Sequence, residues 1–268
     1  GKLAVCGTLN DLAMSGATPL YLSCGLILEE GFAIEDLKRV LQSMQDTAKA
    51  AGVSIVTGDT KVVDRGRGDK IYINTAGIGL VAQHTTIAPH RIAVGDSILL
   101  SSDIARHGMA IMLAREGLDF ESHIESDCAD VSGLVQTLIA SGIDIHCLRD
   151  LTRGGLASGL LELASVTKQE FRIEETAIPL HENVSSACEI LGFDPLYVAN
   201  EGCFVLFLPE HDTDKTLTHL REHPLGRQAQ KIGRVSEITK KGAVILQTAM
   251  GVNRQLTLLS GEQLPRIC

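Results

Sequence analysis

Hydrophobic and polar positions follow two rhythms along this chain, one typical of strands and one typical of helices. The segment AIEDLKRVLQSMQDTAKAAG repeats its apolar residues at helical spacing, which predicts a helix that stops at Gly52. The apolar face of this helix consists of Leu37, Val40, Leu41, Met44 and Ala48. The flanking stretches TPLYLSCGLIL and KIYINTAGIGL are rich in apolar and β-branched residues and predict strands.

The same alternation continues in the second half of the chain. SILLSSD, EFRIEE and CFVLFLP predict strands, and KIGRVSEI with GAVILQT predicts a closing hairpin. Helices are predicted over roughly 108–116 and 130–141, and another begins at GGLASGLLELAS. Strands and helices that alternate in this way indicate an α/β (α+β) fold of two layered α/β domains.

Breaks in the pattern divide the chain. AQHTTIAPHRIAVGD contains a proline and loses periodicity, which predicts a boundary between domains at 1–83 and 84–255. Residues 256–268 predict a flexible tail, because Gly261 permits bending and Pro265 blocks a helix. The sequence begins without Met in what resembles the approach to a helix, so we expect an upstream segment.

Composition narrows the range of functions. The formal charge is -9, aromatic residues make up 3% and Trp is absent, so the chain lacks the basic surface and stacking rings of a nucleic-acid binder. No apolar run approaches the roughly 20 residues that cross a membrane, and there is no signal-peptide pattern. The cysteines are widely spaced without a CxxC pair, which favours small core residues in a reducing cytoplasm.

Two polar stretches in the first half are candidate sites. In TLNDLAMSGA, Thr8 is predicted to cap a helix with Asn10 and Asp11 in its first turn, where the helix dipole favours an anion. In VSIVTGDTK, a strand is predicted to enter a tight turn that presents Asp59 to a metal ion and Lys61 to a phosphate or a proton. An ordinary capped helix and an ordinary polar turn explain the two stretches equally well.

The stretch RDLTRGGLASG opens a predicted helix and has features of an anion site. Free backbone N–H groups, little Cβ bulk and a nearby cation suit a phosphate. The residues concerned are Asp150, Thr152, Arg153, Gly154 and Gly155. Glycines also permit close packing, so both interpretations stand.

A fourth candidate is DPLYVANEGCFVL, in which Asn200, Glu201 and Gly202 come immediately before an apolar strand. A carboxylate there would be partly buried and basic enough to move protons, although a solvent-exposed loop carboxylate is the plainer alternative. His107, ahead of a predicted helix, is either a proton shuttle or simply a capping or exposed residue. The chain has neither a Walker A loop nor a Rossmann fingerprint, so bound phosphates would need Mg²⁺ held by carboxylates.

Taken together, six motifs resemble the HypE family of hydrogenase maturation factors. They are VCGTLNDLAMSGATPLYL, TGDTKVV, HGMAIMLAREG, DLTRGGLAS, DPLYVANEG and the terminal PRIC, which is the most specific. The wider superfamily that the chain resembles contains aminoimidazole ribonucleotide synthetase, selenophosphate synthetase and thiamine-monophosphate kinase. The resemblance implies ATP use and a two-domain α/β fold, usually as a homodimer with the nucleotide near the subunit interface.

The resemblance also implies a covalent task for the last residue, Cys268. In this family the partner HypF loads a carbamoyl group onto the terminal thiol as a thiocarboxamide. ATP phosphorylates its oxygen, loss of phosphate leaves a thiocyanate, and the cyanide passes to iron on the HypC–HypD complex. The chain would then be a cytoplasmic, ATP- and Mg²⁺-dependent carbamoyl dehydratase.

Individual residues acquire roles through the same resemblance. Asp11 and Asp59 would bind Mg²⁺ and phosphate, whereas Lys61 and Glu201 would surround the thiocarboxamide and help to remove its protons. The other ATP-binding residues would be Asn10, Thr60, Asp150, Thr152, Arg153 and Gly154. Two features depart from the family. The printed sequence starts after the family's Gly-rich acidic stretch, and without that stretch we expect nucleotide binding to be lost and the dimer to be weakened; Cys203 stands where the family often has Lys.

Two other functions remain open on the sequence. Another ATP-dependent synthetase or kinase of the superfamily would not need the terminal thiol of Cys268. A non-catalytic carrier would hold a metal or an acyl group on that thiol without hydrolysing ATP, so Asp59 would not matter to it.

Overall fold

The computed structural model describes residues 1–83, 85–116 and 124–258 of the chain. The α-helices within these ranges are α1 (Lys2–Met14), α2 (Ile34–Ala50), α3 (Arg106–Glu116), α4 (Ser132–Ala140), α5 (Gly155–Thr167), α6 (Glu182–Leu191) and α7 (Thr213–Glu222). The strands are β1 (Ala17–Glu29), β2 (Ser54–Val63), β3 (Ile71–Val81), β4 (Ser97–Leu100), β5 (Cys147–Asp150), β6 (Gln169–Glu174), β7 (Phe204–Leu208), β8 (Gln230–Ile238), β9 (Ala243–Gln247) and β10 (Asn253–Gln255). This mixed content confirms the predicted α/β fold class.

The chain forms two compact units. The first contains residues 1–85 together with 130–136, and the second contains 86–129 together with the described residues from 137 onward. The segment 130–136 joins the first unit, where the Val131 N–H donates to Asn10 Oδ1 at 2.9 Å. Among the described residues, no helix is both long and apolar enough to span a membrane.

The first unit is a sheet with helices on one face. Within the described residues the strand order is β2-β1-β3, with β1 parallel to β2 and antiparallel to β3. Alternate β1 residues point to opposite faces, and Leu22, Cys24, Leu26 and Leu28 are buried in the core formed with α1 and α2. The buried residues of this core are Val5, Leu9, Leu22, Cys24, Leu26, Leu28, Met44, Ala48 and Val53. The predicted helix α2 is therefore confirmed, and two residues of its apolar face, Met44 and Ala48, are buried in the core.

Two local predictions in this unit are wrong. The TGDTK segment is not a turn, because β2 continues through it and its residues stay paired with β1, Gly25 with Asp59 and Ile27 with Lys61. Thr8 is not a helix cap, because α1 already begins at Lys2. Instead, the Thr8 hydroxyl lies mid-helix, 2.6 Å from the hydroxyl of Thr75 on β3.

The second unit is built on a larger sheet. Its described strands lie in the order β10-β9-β6-β8-β4-β7-β5, and β6 is parallel to β9 whereas the other pairs are antiparallel. The predicted hairpin of β8 with β9 is wrong, because β6 lies between them and pairs with both. The core includes Phe171 and Phe207, whose ring centroids are 5.0 Å apart.

The chain remains anchored just past β10. Leu256 is 3% exposed, and the hydroxyl of Tyr197 donates to the carbonyl of Thr257 at 2.7 Å. The remainder of the predicted tail, including Cys268, lies outside the described residues.

Candidate functional site

The α1 candidates in the first unit have different surroundings. Asn10 is 4% exposed, and its side-chain oxygen accepts the Val131 N–H, so this residue holds the segment 130–136. Asp11, the next residue, is exposed. Both lie in the second half of α1 and not in its first turn, so the dipole argument made from the sequence does not apply to them.

Strand geometry sorts the β2 candidates by face. Asp59 and Lys61 are two residues apart, so their side chains share the open face of the sheet, whereas Thr60 points to the face that carries the helices. All three are exposed. One Asp59 oxygen, Oδ1, accepts the Thr60 backbone N–H at 2.8 Å. The structure therefore brings Asp59 and Lys61 together on one surface and separates the Thr60 side chain from them.

The DLTRGG motif in the second unit links β5 to α5. Asp150 is 7% exposed, and its carboxylate accepts the Thr152 hydroxyl at 2.6 Å and also contacts the Arg149 guanidinium. Arg153 and Gly154 are exposed at the start of the helix, where Gly154 has a φ of 66°. The motif thus presents the Asp150 carboxylate, whose charge is balanced by Arg149, together with the exposed Arg153 cation and the N-terminus of α5.

The ANEG motif places a carboxylate inside the second unit. Glu201 is 3% exposed, which confirms the burial predicted from the apolar strand behind it. Asn200 is 0% exposed, and its side chain accepts the Ala105 N–H at 2.7 Å and donates to the Val198 carbonyl at 3.0 Å. The backbone N–H of Asn200 donates to the Leu151 carbonyl at 3.0 Å. A carboxylate in a poorly solvated place, on a main chain that is held this firmly, has the setting of a general base.

Cys203 and His107, two residues that the sequence singled out, are both buried near this motif. Burial raises the pKa of the Cys203 thiol to about 12, so it is a neutral packing residue at physiological pH. His107 is 2% exposed in the first turn of α3, and its Nδ1 lies 2.8 Å from the Ser126 hydroxyl. The interpretation of His107 as an exposed residue is therefore wrong.

One residue beside Glu201 was not identified from the sequence. Asp127 is 7% exposed and accepts the backbone N–H groups of both Glu201 and Gly202. Asp127 lies in a loop that carries no recognisable pattern, and its partners are main-chain groups more than seventy residues away. No sequence signal could have marked this contact.

The described residues offer few side chains that could bind a metal ion together. Across 1–83, 85–116 and 124–258, no group of three or more His, Cys, Asp or Glu side chains is placed to hold a metal ion. Mg²⁺ that binds with a nucleotide needs only one or two protein carboxylates, because phosphates and water complete its shell. Asp11 and Asp59 have exposed, hard oxygen donors of the kind that this mode uses. The structure does not bring the two together, because Asp11 lies on α1, on the covered side of the sheet, and Asp59 lies on the open face.

Comparison with known proteins extends along the whole chain. Residues 1–81 match the family model "AIR synthase related protein, N-terminal domain", and residues 93–245 match "AIR synthase related protein, C-terminal domain". The chain is 48% identical over 268 residues to "Carbamoyl dehydratase HypE" of Azotobacter vinelandii, which covers 100% of this chain and 78% of that protein.

Two solved structures have closely similar folds. A crystal structure of "Hydrogenase Maturation Protein HypE in complex with ATP" has a TM-score of 0.96 and 46% identity, covering 100% of this chain and 81% of that one. A chain of a "HypE-HypF complex" has a TM-score of 0.91 and 43% identity, covering 96% and 83%. The motifs, the two matched domains and this full-length identity agree, and the chain belongs to the HypE family of carbamoyl dehydratases, within the AIR synthase superfamily.

Proposed function

We propose that this chain uses ATP to dehydrate a carbamoyl group carried as a thiocarboxamide on Cys268, giving a thiocyanate that supplies cyanide to the iron of a NiFe hydrogenase. The observation that carries the proposal is the full-length similarity to a carbamoyl dehydratase, at 48% identity. The similar fold of a HypE bound to ATP supports the choice of phosphoryl donor.

The chemistry requires a good leaving group and a base. Hydroxide leaves an amide carbon poorly, so the oxygen of the thiocarboxamide first accepts the γ-phosphoryl group of ATP and ADP departs. The nitrogen loses its two protons over the reaction, and the C–O bond breaks to release inorganic phosphate and leave the S–C≡N group. We assign the proton acceptor to Glu201, because its carboxylate is 3% exposed and its backbone is fixed. Lys61 supplies positive charge and assists in proton removal.

Nucleotide binding is assigned to residues of the TLND, TGDTK and DLTRGG motifs. In the first unit Asp11 and Asp59 would hold Mg²⁺, which when bound neutralises phosphate charge. Asn10 and Thr60 are assigned to the nucleotide site as the sequence neighbours of these ligands. Asn10 also holds the segment 130–136. In the second unit the ATP-binding residues are Asp150, Thr152, Arg153 and Gly154.

The attachment of the tail supports the role of Cys268. The last anchored carbonyl, that of Thr257, is held by Tyr197, which lies on the same loop as Glu201. From that point an extended chain can span up to about 36 Å to the terminal sulfur. A thiol tethered by a short segment would reach a nearby site at high effective concentration.

The protein partners follow from this cycle. HypF would load the carbamoyl group, and a HypC–HypD complex would receive the cyanide; a structure of a HypE–HypF complex with a similar chain supports the first of these. A reducing cytoplasm is the assigned compartment, because the buried Cys24, Cys147, Cys188 and Cys203 form no disulfide.

A second copy of the chain is the proposed occupant of the open face of the first sheet. Large apolar side chains stay exposed there, and monomeric proteins rarely leave such contiguous patches uncovered. They are Tyr21, Ile27, Tyr72, Ile78 and Leu80, with exposed fractions from 44% to 67%. Asp59 and Lys61 share this face, which agrees with a nucleotide bound near a dimer interface.

We expect Ile78→Asp to convert the homodimer into a monomer, because a carboxylate would be buried without a partner in the interface. The matched control is Ile190→Asp on α6, since both isoleucines are 67% exposed. Light scattering coupled to size exclusion measures the molar mass of each protein. A monomeric wild type, or an Ile78→Asp variant that stays dimeric, would contradict the interface.

The proposed reaction is tested by intact mass spectrometry of the carbamoylated full-length protein. With Mg-ATP, we expect the protein to lose the mass of one water molecule and to release one phosphate per chain, with peptide mapping placing the change at Cys268. The reaction should stop when EDTA removes the divalent ion or when a non-hydrolysable ATP analogue replaces ATP. An unchanged mass in the presence of Mg-ATP would refute the dehydratase function.

A further inference from the structure

We propose that Asp127 is a positioning residue for the dehydration, acting by fixing the main chain that carries Glu201. The inference rests on the proposed function, because it assigns Asp127 a task in that reaction. Both oxygens of the Asp127 carboxylate accept main-chain N–H groups of Glu201 and Gly202, so it acts through Glu201.

The contact is a two-point clamp on consecutive peptide groups. The Glu201 N–H lies 3.1 Å from Oδ1 and 3.1 Å from Oδ2 of Asp127, and the Gly202 N–H donates to Oδ2 at 2.9 Å. Two adjacent N–H groups bound to one carboxylate fix the orientation of both peptide planes around the Glu201 Cα. The direction in which the Glu201 side chain leaves the backbone is thereby set.

Close packing makes the clamp specific for this main chain. A Cβ on Gly202 would lie 2.0 Å from the Asp127 carbonyl oxygen, so the loop and the motif approach as closely as a glycine permits. The loop is held from behind as well, because the Ser126 hydroxyl accepts the Cys128 N–H at 3.0 Å and meets His107 Nδ1 at 2.8 Å. Asp127 is therefore fixed to α3 on one side and to the Glu201 segment on the other.

Burial of the Asp127 carboxyl is electrostatically unfavourable. Burial raises the pKa of the Asp127 carboxyl, and the hydrogen bonds from Gly202 and Glu201 and the charges of Arg106 and His107 only partly offset this. A carboxyl whose folded pKa is raised stabilises the fold most at low pH and loses that contribution as pH rises through the raised value. Both oxygens of this buried group nevertheless accept peptide N–H groups beside the proposed base, and such a costly placement next to a reacting group indicates a functional task.

The substitution Asp127→Asn tests the positioning of Glu201 in a protein that should still fold. The amide keeps one acceptor oxygen, but its NH₂ group would face the Glu201 N–H at the second position, so one donor would oppose another. Because Asn has the size of Asp and carries no charge to desolvate, we expect the variant to fold and to melt close to wild type. Asp96→Asn is the control: Asp96 is 3% exposed in the same unit, and its Oδ2 accepts the Ala93 N–H at 2.9 Å and lies 2.7 Å from His146 Nδ1.

Single-turnover dehydration of the carbamoylated full-length proteins with Mg-ATP, followed by mass spectrometry across pH, tests the inference. We expect Asp127→Asn to slow the reaction by about 10- to 100-fold, the range for a displaced catalytic group, with ATP affinity unchanged. The rate should be lower at every pH, including the plateau, because a displaced base reacts more slowly even when it is fully deprotonated. The other titratable or charged groups near Asp127 are Arg106, His107 and Cys203, which both proteins keep.

The two proposals fail in different ways. If wild type loses no water, the proposed function falls and this inference falls with it. If wild type reacts and Asp127→Asn reacts at the same rate with the same pH profile, only the positioning role is overturned. An equal loss of rate in Asp127→Asn and Asp96→Asn would also overturn it, because any buried carboxylate would then have the same effect.

Discussion

Replacing Glu201 by Gln is expected to lower the rate of dehydration by about 10²- to 10⁴-fold, the usual contribution of a positioned general base. Gln has the same size and shape but cannot accept a proton at neutral pH. Because Glu201 is 3% exposed, water has little access to take over the proton transfer. The loss should appear in the single-turnover formation of the thiocyanate, measured on the carbamoylated protein by mass spectrometry.

The control for this substitution is Glu189→Gln, an identical chemical change at an exposed position on α6. It should react at the wild-type rate, and both variants should bind Mg-ATP as tightly as wild type in calorimetry. If Glu201→Gln still forms thiocyanate at the wild-type rate, another group must remove the protons. The dehydratase function would survive that result, but the role of Glu201 would not.

Helices and strands with a strong local pattern could be predicted from the sequence. α2 is recognisable because its apolar side chains recur at helical spacing and a glycine with a φ of 69° follows it. β7 is recognisable because a run of apolar residues is completely buried within the larger sheet. In both cases the information lies in neighbouring residues, and tertiary packing agrees with it.

The predictions that failed depend on partners far along the chain. Gly58 lies in the TGDTK stretch, which has a turn-like composition, yet its Cβ position is only 2.4 Å from the Cys24 carbonyl oxygen of β1. Pairing with β1 therefore outweighs the local preference for a turn. The expected hairpin of β8 and β9 failed for the same reason, since β6 pairs with both strands.

In the candidate site, too, a feature that depends on neighbouring residues could be predicted from the sequence, whereas a contact with distant residues could not. The burial of Glu201 could be anticipated, because the motif runs directly into an apolar strand. The clamp from Asp127 could not, because a side chain that binds peptide N–H groups places no demand on the identity of its partners. For Gly155 the sequence left anion binding and close packing open, and the structure gives a direct packing reason for a glycine there.

We expect Gly155→Ala to destabilise the second unit by about 2–4 kcal/mol, combining left-handed strain with overpacking. Gly155 has a φ of 63°, and an added Cβ would lie 2.6 Å from the Val198 carbonyl oxygen and 2.7 Å from that of Leu196. These are backbone atoms, so no side-chain rotation relieves the contact. The same shift would be passed along the loop to Glu201 and should slow dehydration as well.

The variant Gly192→Ala distinguishes the strain of the left-handed backbone from the overpacking. Gly192 also has a positive φ, 74°, but an added Cβ there meets nothing within 4 Å, so its substitution should cost only about 1–2 kcal/mol for the left-handed backbone. Urea denaturation followed by circular dichroism measures both variants against wild type. Equal losses would mean that the backbone angle alone explains the glycine at 155, whereas a larger loss for Gly155→Ala, accompanied by slower dehydration, would show that this close approach holds the loop of the proposed base in place.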